Sequence, residues 1–131
     1  RSIDMNPDDA WVFTKRGWVY EKMGSLDKAW DDYDKAVKLD DQNAWTFRRR
    51  GYILMAEGSF EGAVDEFGVS INLEPTSHHG YCGRAKAHYM LSHFDEADAD
   101  IRKALEINPA DAESQNILKV IAQSRVTQLA K

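Results

Sequence analysis

Residues 10–43 read AWVFTKRGWVYEKMGSLDKAWDDYDKAVKLDDQN, and residues 44–77 read AWTFRRRGYILMAEGSFEGAVDEFGVSINLEPTS. Laid over one another, they match at Trp11 and Trp45, Phe13 and Phe47, Arg16 and Arg50, and Gly17 and Gly51. The match continues through Gly24-Ser25 and Gly58-Ser59, Ala29 and Ala63, the aromatic pair Tyr33 and Phe67, and Leu39 and Leu73. Residues 78–111 keep the same register with Tyr81, Arg84, Ala85, Ser92, Ala97, Ile101 and Ile107, and Pro75 and Pro109 close the second and third units. A fixed period of 34 residues marks a repeat architecture, in which each unit needs its neighbours to bury its apolar face.

Inside each unit the apolar residues recur in steps of three and four. Val12, Phe13, Tyr20 and Met23 precede a Gly24-Ser25 break; Leu26, Trp30, Tyr33, Val37 and Leu39 follow it. That is two amphipathic helices joined by a turn, and no strand-period alternation occurs anywhere. Ser25 and Ser59 are expected to be N-caps of the second helices. Small residues at Gly17, Gly51 and Ala85, and at Ala29, Ala63 and Ala97, would let paired helices approach closely. Mid-helix Gly68, Gly80 and Gly83 each cost about 1 kcal/mol relative to Ala, so the third pair is expected to be the least stable.

The pattern resembles the tetratricopeptide repeat family, whose 34-residue helix–turn–helix unit has small, aromatic and terminal Pro positions at these offsets. The resemblance implies an all-α, right-handed α-solenoid of three helical hairpins, 10–43, 44–77 and 78–111, followed by a capping helix over 112–131. Residues 1–9 are expected to be the tail of a preceding repeat, because Ile3-Asp4-Met5-Asn6-Pro7 aligns with Ile71-Asn72-Leu73-Glu74-Pro75. Asp41 in place of the closing Pro, and Ala85 and His88 in place of Gly and Tyr, depart from the family pattern.

Composition narrows the function. The chain has 131 residues, 43% hydrophobic and 30% charged, with net charge −5 and one Cys. It is too apolar for a disordered chain, and it has no run long enough for a membrane span and no signal-peptide pattern. One Cys rules out an intramolecular disulfide and a Cys-based zinc cluster. It leaves cytosol and periplasm open, with the cytoplasm favoured. No phosphate loop, nucleophile elbow or zinc-protease motif is present, and His78 with Cys82 supplies too few ligands for zinc. No catalytic residue, metal or cofactor is expected, and the protein is read as non-enzymatic.

Charge divides by helix. The first helices carry eight basic residues against two acidic ones, a balance of +6; the second helices carry five against sixteen, a balance of −11. Arg16, Arg50 and Arg84 each have an acid sixteen residues later (Asp32, Glu66 and Asp100), which reads as a bridge inside each hairpin. The family resemblance implies that first helices line a concave groove. Its groove positions here are Trp11, Lys15, Trp18, Trp45, Arg48, Arg49, Tyr52, His79, Lys86 and Tyr89, with Thr14, Glu21, Lys22 and Cys82 alongside. Tryptophan, tyrosine and arginine are the side chains enriched at binding hot spots.

The expected function is a protein-interaction scaffold that holds a peptide or helix of acidic and apolar character in a basic aromatic groove. The alternatives are a spacer or self-association module, with a neighbouring copy in the groove, and the regulatory arm of a larger protein. Net acidity argues against nucleic acid as a partner. Members of the family that bind chaperones clamp a C-terminal carboxylate with Lys, Asn and Arg. The corresponding residues here are Thr14, Trp18, Arg49, His79 and Gly83, so the resemblance does not carry that clamp over.

Overall fold

A computed structural model describes residues 7–129, which form seven helices and, among the described residues, no strand. The helices are α1 (Pro7–Lys22), α2 (Leu26–Leu39), α3 (Ala44–Ala56), α4 (Phe60–Leu73), α5 (His78–Met90), α6 (Phe94–Ile107) and α7 (Ala112–Leu129). They pack as hairpins α1–α2, α3–α4 and α5–α6, with α7 against the last one. The fold is the expected all-α solenoid of stacked hairpins. No helix among the described residues is long and apolar enough to cross a membrane. Residues 1–6 of the expected preceding-repeat tail, and residues 130–131, lie outside the described residues. Pro7–Asp9 belong to α1.

The three hairpin turns are built alike. Ser25 N–H reaches Tyr20 C=O at 2.9 Å and Gly24 N–H reaches Glu21 C=O at 3.0 Å. Ser59 and Gly58 repeat this on Leu54 and Met55, as do His93 and Ser92 on His88 and Tyr89. This is the Schellman ending, whose penultimate residue takes a left-handed conformation: φ is 82° at Gly24, 79° at Gly58 and 61° at Ser92. Glycine adopts that conformation freely and serine does not. Ser92→Gly should therefore raise stability by about 1 kcal/mol, read as a higher urea midpoint at unchanged slope.

The expected capping by Ser25 and Ser59 is corrected in part. Both stand at the N-cap position, yet neither side chain makes a capping bond. Each serine is also the last residue of the preceding Schellman turn, which holds ψ at 72° and 67° instead of in the extended region. At Asn43 and Ser77 the backbone is extended, and their side chains accept from Trp45 N–H at 3.1 Å and His79 N–H at 3.3 Å.

The core repeats with the sequence. Tyr33, Phe67 and Ile101 are fully buried, as are Ala29, Ala63 and Ala97. A Cβ on Gly17 would lie 2.9 Å from the Tyr33 ring, and one on Gly51 would lie 2.8 Å from the Phe67 ring. The glycines of α5 also turn out to be packing positions. A Cβ on Gly80 would meet Ile71 and Ser70 at 2.8 Å, and one on Gly83 would meet the Phe67 ring at 2.4 Å. Helix propensity alone therefore misjudges them: their missing side chains let α5 close on α4. Gly68 is different, its nearest neighbour being Arg84 Nη1 at an ordinary 3.7 Å.

Helix α7 covers the end of the array. Ile121 and Ser114 are fully buried, and Ile117 and Leu118 pack on Cys82, Ala85 and Ile101. Asp111 starts the helix, accepting from Ser114 N–H at 3.0 Å and from its hydroxyl at 2.6 Å, bonds that hold the Asp111 carboxyl below the ordinary aspartate range. Arg125 reaches back to Asp95 at 2.8 Å.

Candidate functional site

Helix α1 touches α3, α3 touches α5 and α5 touches α7, whereas α2, α4 and α6 do not touch one another. The first helices are thus the closer-spaced layer, on the inner side of a curved array. The groove residues belong to this layer. Trp18, Tyr52 and Lys86 hold one repeat position on successive helices.

The aromatic residues divide by partner. Trp45 is half-buried, its ring edge-on to Tyr33 with centroids 6.1 Å apart. Tyr52 packs edge-on against Phe67 at 5.0 Å, and burial pushes its phenol upward. Tyr89 bonds the Ser124 hydroxyl at 3.0 Å and leans on Phe94, so α7 occupies its end of the groove. Trp11 and Trp18 remain 61% and 42% exposed. The ammonium groups of Lys15 and Lys22 stand 5.7 and 5.3 Å from their ring centres. Trp11, Trp18 and Trp45, together with Val12 and Val19, line an open apolar cavity of about 810 Å³.

The basic residues are more engaged than their sequence positions suggest. Arg49 donates to both oxygens of Glu21 through Nε and Nη2, the Nε bond to Oε1 at 3.1 Å, and Tyr33 donates its hydroxyl to the same Oε1 at 2.8 Å. Lys86 pairs with Glu113 of α7, and Arg48 reaches Glu74 at 3.0 Å with little exposure of its own. Within α3 and α5 the expected basic excess is therefore compensated locally. Lys15 and Lys22, both exposed on α1, carry the charge that stays open to solvent. His79 is exposed and stacks on His78 at 4.0 Å. Thr14 and Cys82 are buried instead of facing the groove, Thr14 within 3.4 Å of the Thr46 hydroxyl.

All three intrahairpin ion pairs form as expected, two of them bidentate. Arg16 and Arg84 grip Asp32 and Asp100 with two bonds of 2.8 Å each. The longer Glu66 brings Oε1 to 3.2 Å from Arg50 Nε without hydrogen-bond alignment, and Arg50 lies 4.5 Å above the Trp30 ring instead. Desolvation raises the Glu66 carboxyl, against the pull of Arg50.

Residues far apart in sequence also bring Cys82, Asp111 and Glu113 within 4.8 Å of one another. Each has another task. Asp111 starts α7, Glu113 holds Lys86, and the buried Cys82 thiol is pushed up to about 11, far from the thiolate a metal or nucleophile requires. Sequence reasoning missed Glu21 as the hub for Tyr33 and Arg49; its one signal was that first helices hold only two acids.

The tetratricopeptide repeat family model matches residues 12–43 and again 78–111, together half of the chain. No curated protein sequence matches. Among solved structures, the first tetratricopeptide domain of human RPAP3 superposes with TM-score 0.91 at 26% identity, covering 96% of this chain and 99% of that one. The first such domain of Spaghetti (RPAP3), solved with the HSP90 peptide SRMEEVD, gives TM-score 0.89 at 26% identity over 95% and 99% of the two chains. The Arabidopsis OM64 domain has the same fold at 23% identity, with TM-score 0.88 over 92% and 99%.

Proposed function

The chain belongs to the tetratricopeptide repeat family, and from that premise we propose that it is a non-enzymatic scaffold whose first-helix face binds a peptide of acidic and apolar character. The observation that carries this reading is the strip formed by Trp18, Tyr52 and Lys86 across three neighbouring helices. Lys22 stands over Trp18, and Lys86 lies 5.4 Å from the Tyr52 ring centre. An apolar anchor fits against the open indole, and acidic residues fit beside Lys15 and Lys22. Rim lysines of this kind chiefly speed association and make it salt-dependent.

The relative bound to SRMEEVD adds a class of ligand, since that peptide combines acids with Met and Val. A carboxylate clamp is not part of the proposal for this chain. Gly83 has no side chain and lies against Phe67, Thr14 is buried, and Arg49 is committed to Glu21.

The test is titration with SRMEEVD and with its C-terminal amide. Both peptides should bind alike, and Trp18→Ala with His79→Ala should weaken both at least about tenfold at unchanged helicity, the loss of one hot-spot contact. Strong preference for the free carboxylate would restore the clamp. Equal binding by the double variant would remove the groove as the site.

A further inference from the structure

The turn between α5 and α6 carries two histidines that the other hairpins lack. His88 stands where α1 has Tyr20 and α3 has Leu54, and His93 stands where the other turns have Ser25 and Ser59. All three turns close with the same backbone bond, from His93 N–H to His88 C=O at 2.8 Å in the third, so the fold does not require imidazoles there. Five residues apart, the two rings would diverge on one continuous helix; the left-handed turn at Ser92 brings them together. Their Nδ1 atoms lie 3.4 Å apart, a weak hydrogen bond at most. Two nitrogens bound at ~2.0–2.1 Å to a tetrahedral zinc ion stand about 3.4 Å apart as well.

We propose that His88 and His93, with Glu96 as a third ligand, form a binding site for a divalent transition-metal ion of the zinc kind, which ties the end of α5 to the start of α6. The supporting groups are in place. Asp100 Oδ2 lies 3.9 Å from Nε2 of His88, and Asp100 is itself fixed by two bonds of 2.8 Å from Arg84. A carboxylate on that side keeps the proton on Nε2 and leaves the Nδ1 lone pair for the ion, the usual outer-shell arrangement of a ligating histidine. Burial holds the His88 imidazole below its ordinary pKa, hence neutral as a ligand must be, although Asp100 and Glu96 pull the other way. Glu96 sits three residues beyond His93, the position from which a glutamate reaches back to the residue that starts a helix. It is exposed and, among the described residues, enters no hydrogen bond or ion pair, so its carboxylate is free to swing onto the ion. Two imidazoles and a carboxylate are a common zinc donor set, with water in the fourth position. His93 is exposed, which gives the ion its way in.

The probe is zinc chloride titrated into the whole protein by calorimetry, with the four histidine rings followed by nuclear magnetic resonance. One saturable site should appear, with shifts at His88 and His93. Zinc at about a hundredfold its dissociation constant should raise the unfolding midpoint by at least about 4 °C, since the unfolded chain does not hold the two rings together. His88→Tyr/His93→Ser places the residues of the first hairpin at this turn, and should weaken binding at least about tenfold at unchanged helicity. Glu96→Gln should weaken it too. His78→Ala/His79→Ala and Glu113→Gln should each leave it within about twofold, which separates this site from the stacked pair on α5 and from the cluster at Cys82. No saturable binding, binding unchanged by His88→Tyr/His93→Ser or by Glu96→Gln, or binding lost with either control would overturn the proposal.

Discussion

Phe67→Ala is expected to destabilise the protein by about 3–5 kcal/mol, the range for deleting a buried phenyl ring. Phe67 is fully buried and joins two hairpins, packing with Ala63 of its own helix, Ala87 of α5 and Tyr52 of α3. Its ring lies against both Gly51 and Gly83, so neither neighbouring helix can collapse into the void without moving its backbone. The cavity penalty should therefore fall near the upper part of the range. Since a domain is stable by only about 5–15 kcal/mol, this single change should bring a large loss of urea midpoint. A loss under about 1 kcal/mol would show that the ring is not the keystone between the second and third hairpins.

Gly83→Ala should also destabilise, by about 1–3 kcal/mol, although helix propensity alone predicts a gain of about 1 kcal/mol. The sign follows from space. The new methyl would lie 2.4 Å from Phe67 Cε1 and 2.7 Å from Cδ1 and Cζ. The ring has little room to retreat, because it also lies against Gly51, where a Cβ would come within 2.8 Å of it. A double-mutant cycle separates the causes. Once Phe67→Ala has removed the ring, Gly83→Ala should become neutral or stabilising. If Gly83→Ala stabilises the wild-type protein, the close contact is not limiting. The third hairpin would then be weakened by its glycines, as propensity alone implies.

Much of this architecture is written locally. The 34-residue register, the Gly24 and Gly58 turns and the knobs Tyr33, Phe67 and Ile101 follow from spacing within a unit. So do the Arg16–Asp32 and Arg84–Asp100 bridges, because sixteen residues reach across one hairpin turn. The Arg50–Glu66 pair marks where residue type stops sufficing: one more methylene and the face of Trp30 alter the geometry.

The candidate site was legible as a set of positions and much less as a set of available side chains. Trp11 and Trp18 are exposed, while Trp45 and Tyr52 lean on Tyr33 and Phe67. Arg49, Lys86 and Arg48 take partners 28, 27 and 26 residues away. Those separations bridge elements whose relative placement no local period encodes.

The sequence by itself determined the all-α repeat, its turns and its aromatic core positions, because each is marked by residue types that recur every 34 residues. Only the tertiary structure decided which groove charges are already compensated, why α5 needs glycine at Gly80 and Gly83, and that Val12 and Val19 stand exposed. The physical reason is that these properties belong to the stacking of one hairpin on the next. There, a fraction of an ångström at Phe67 or one carboxylate at Glu21 settles whether a position is filled, paired or open.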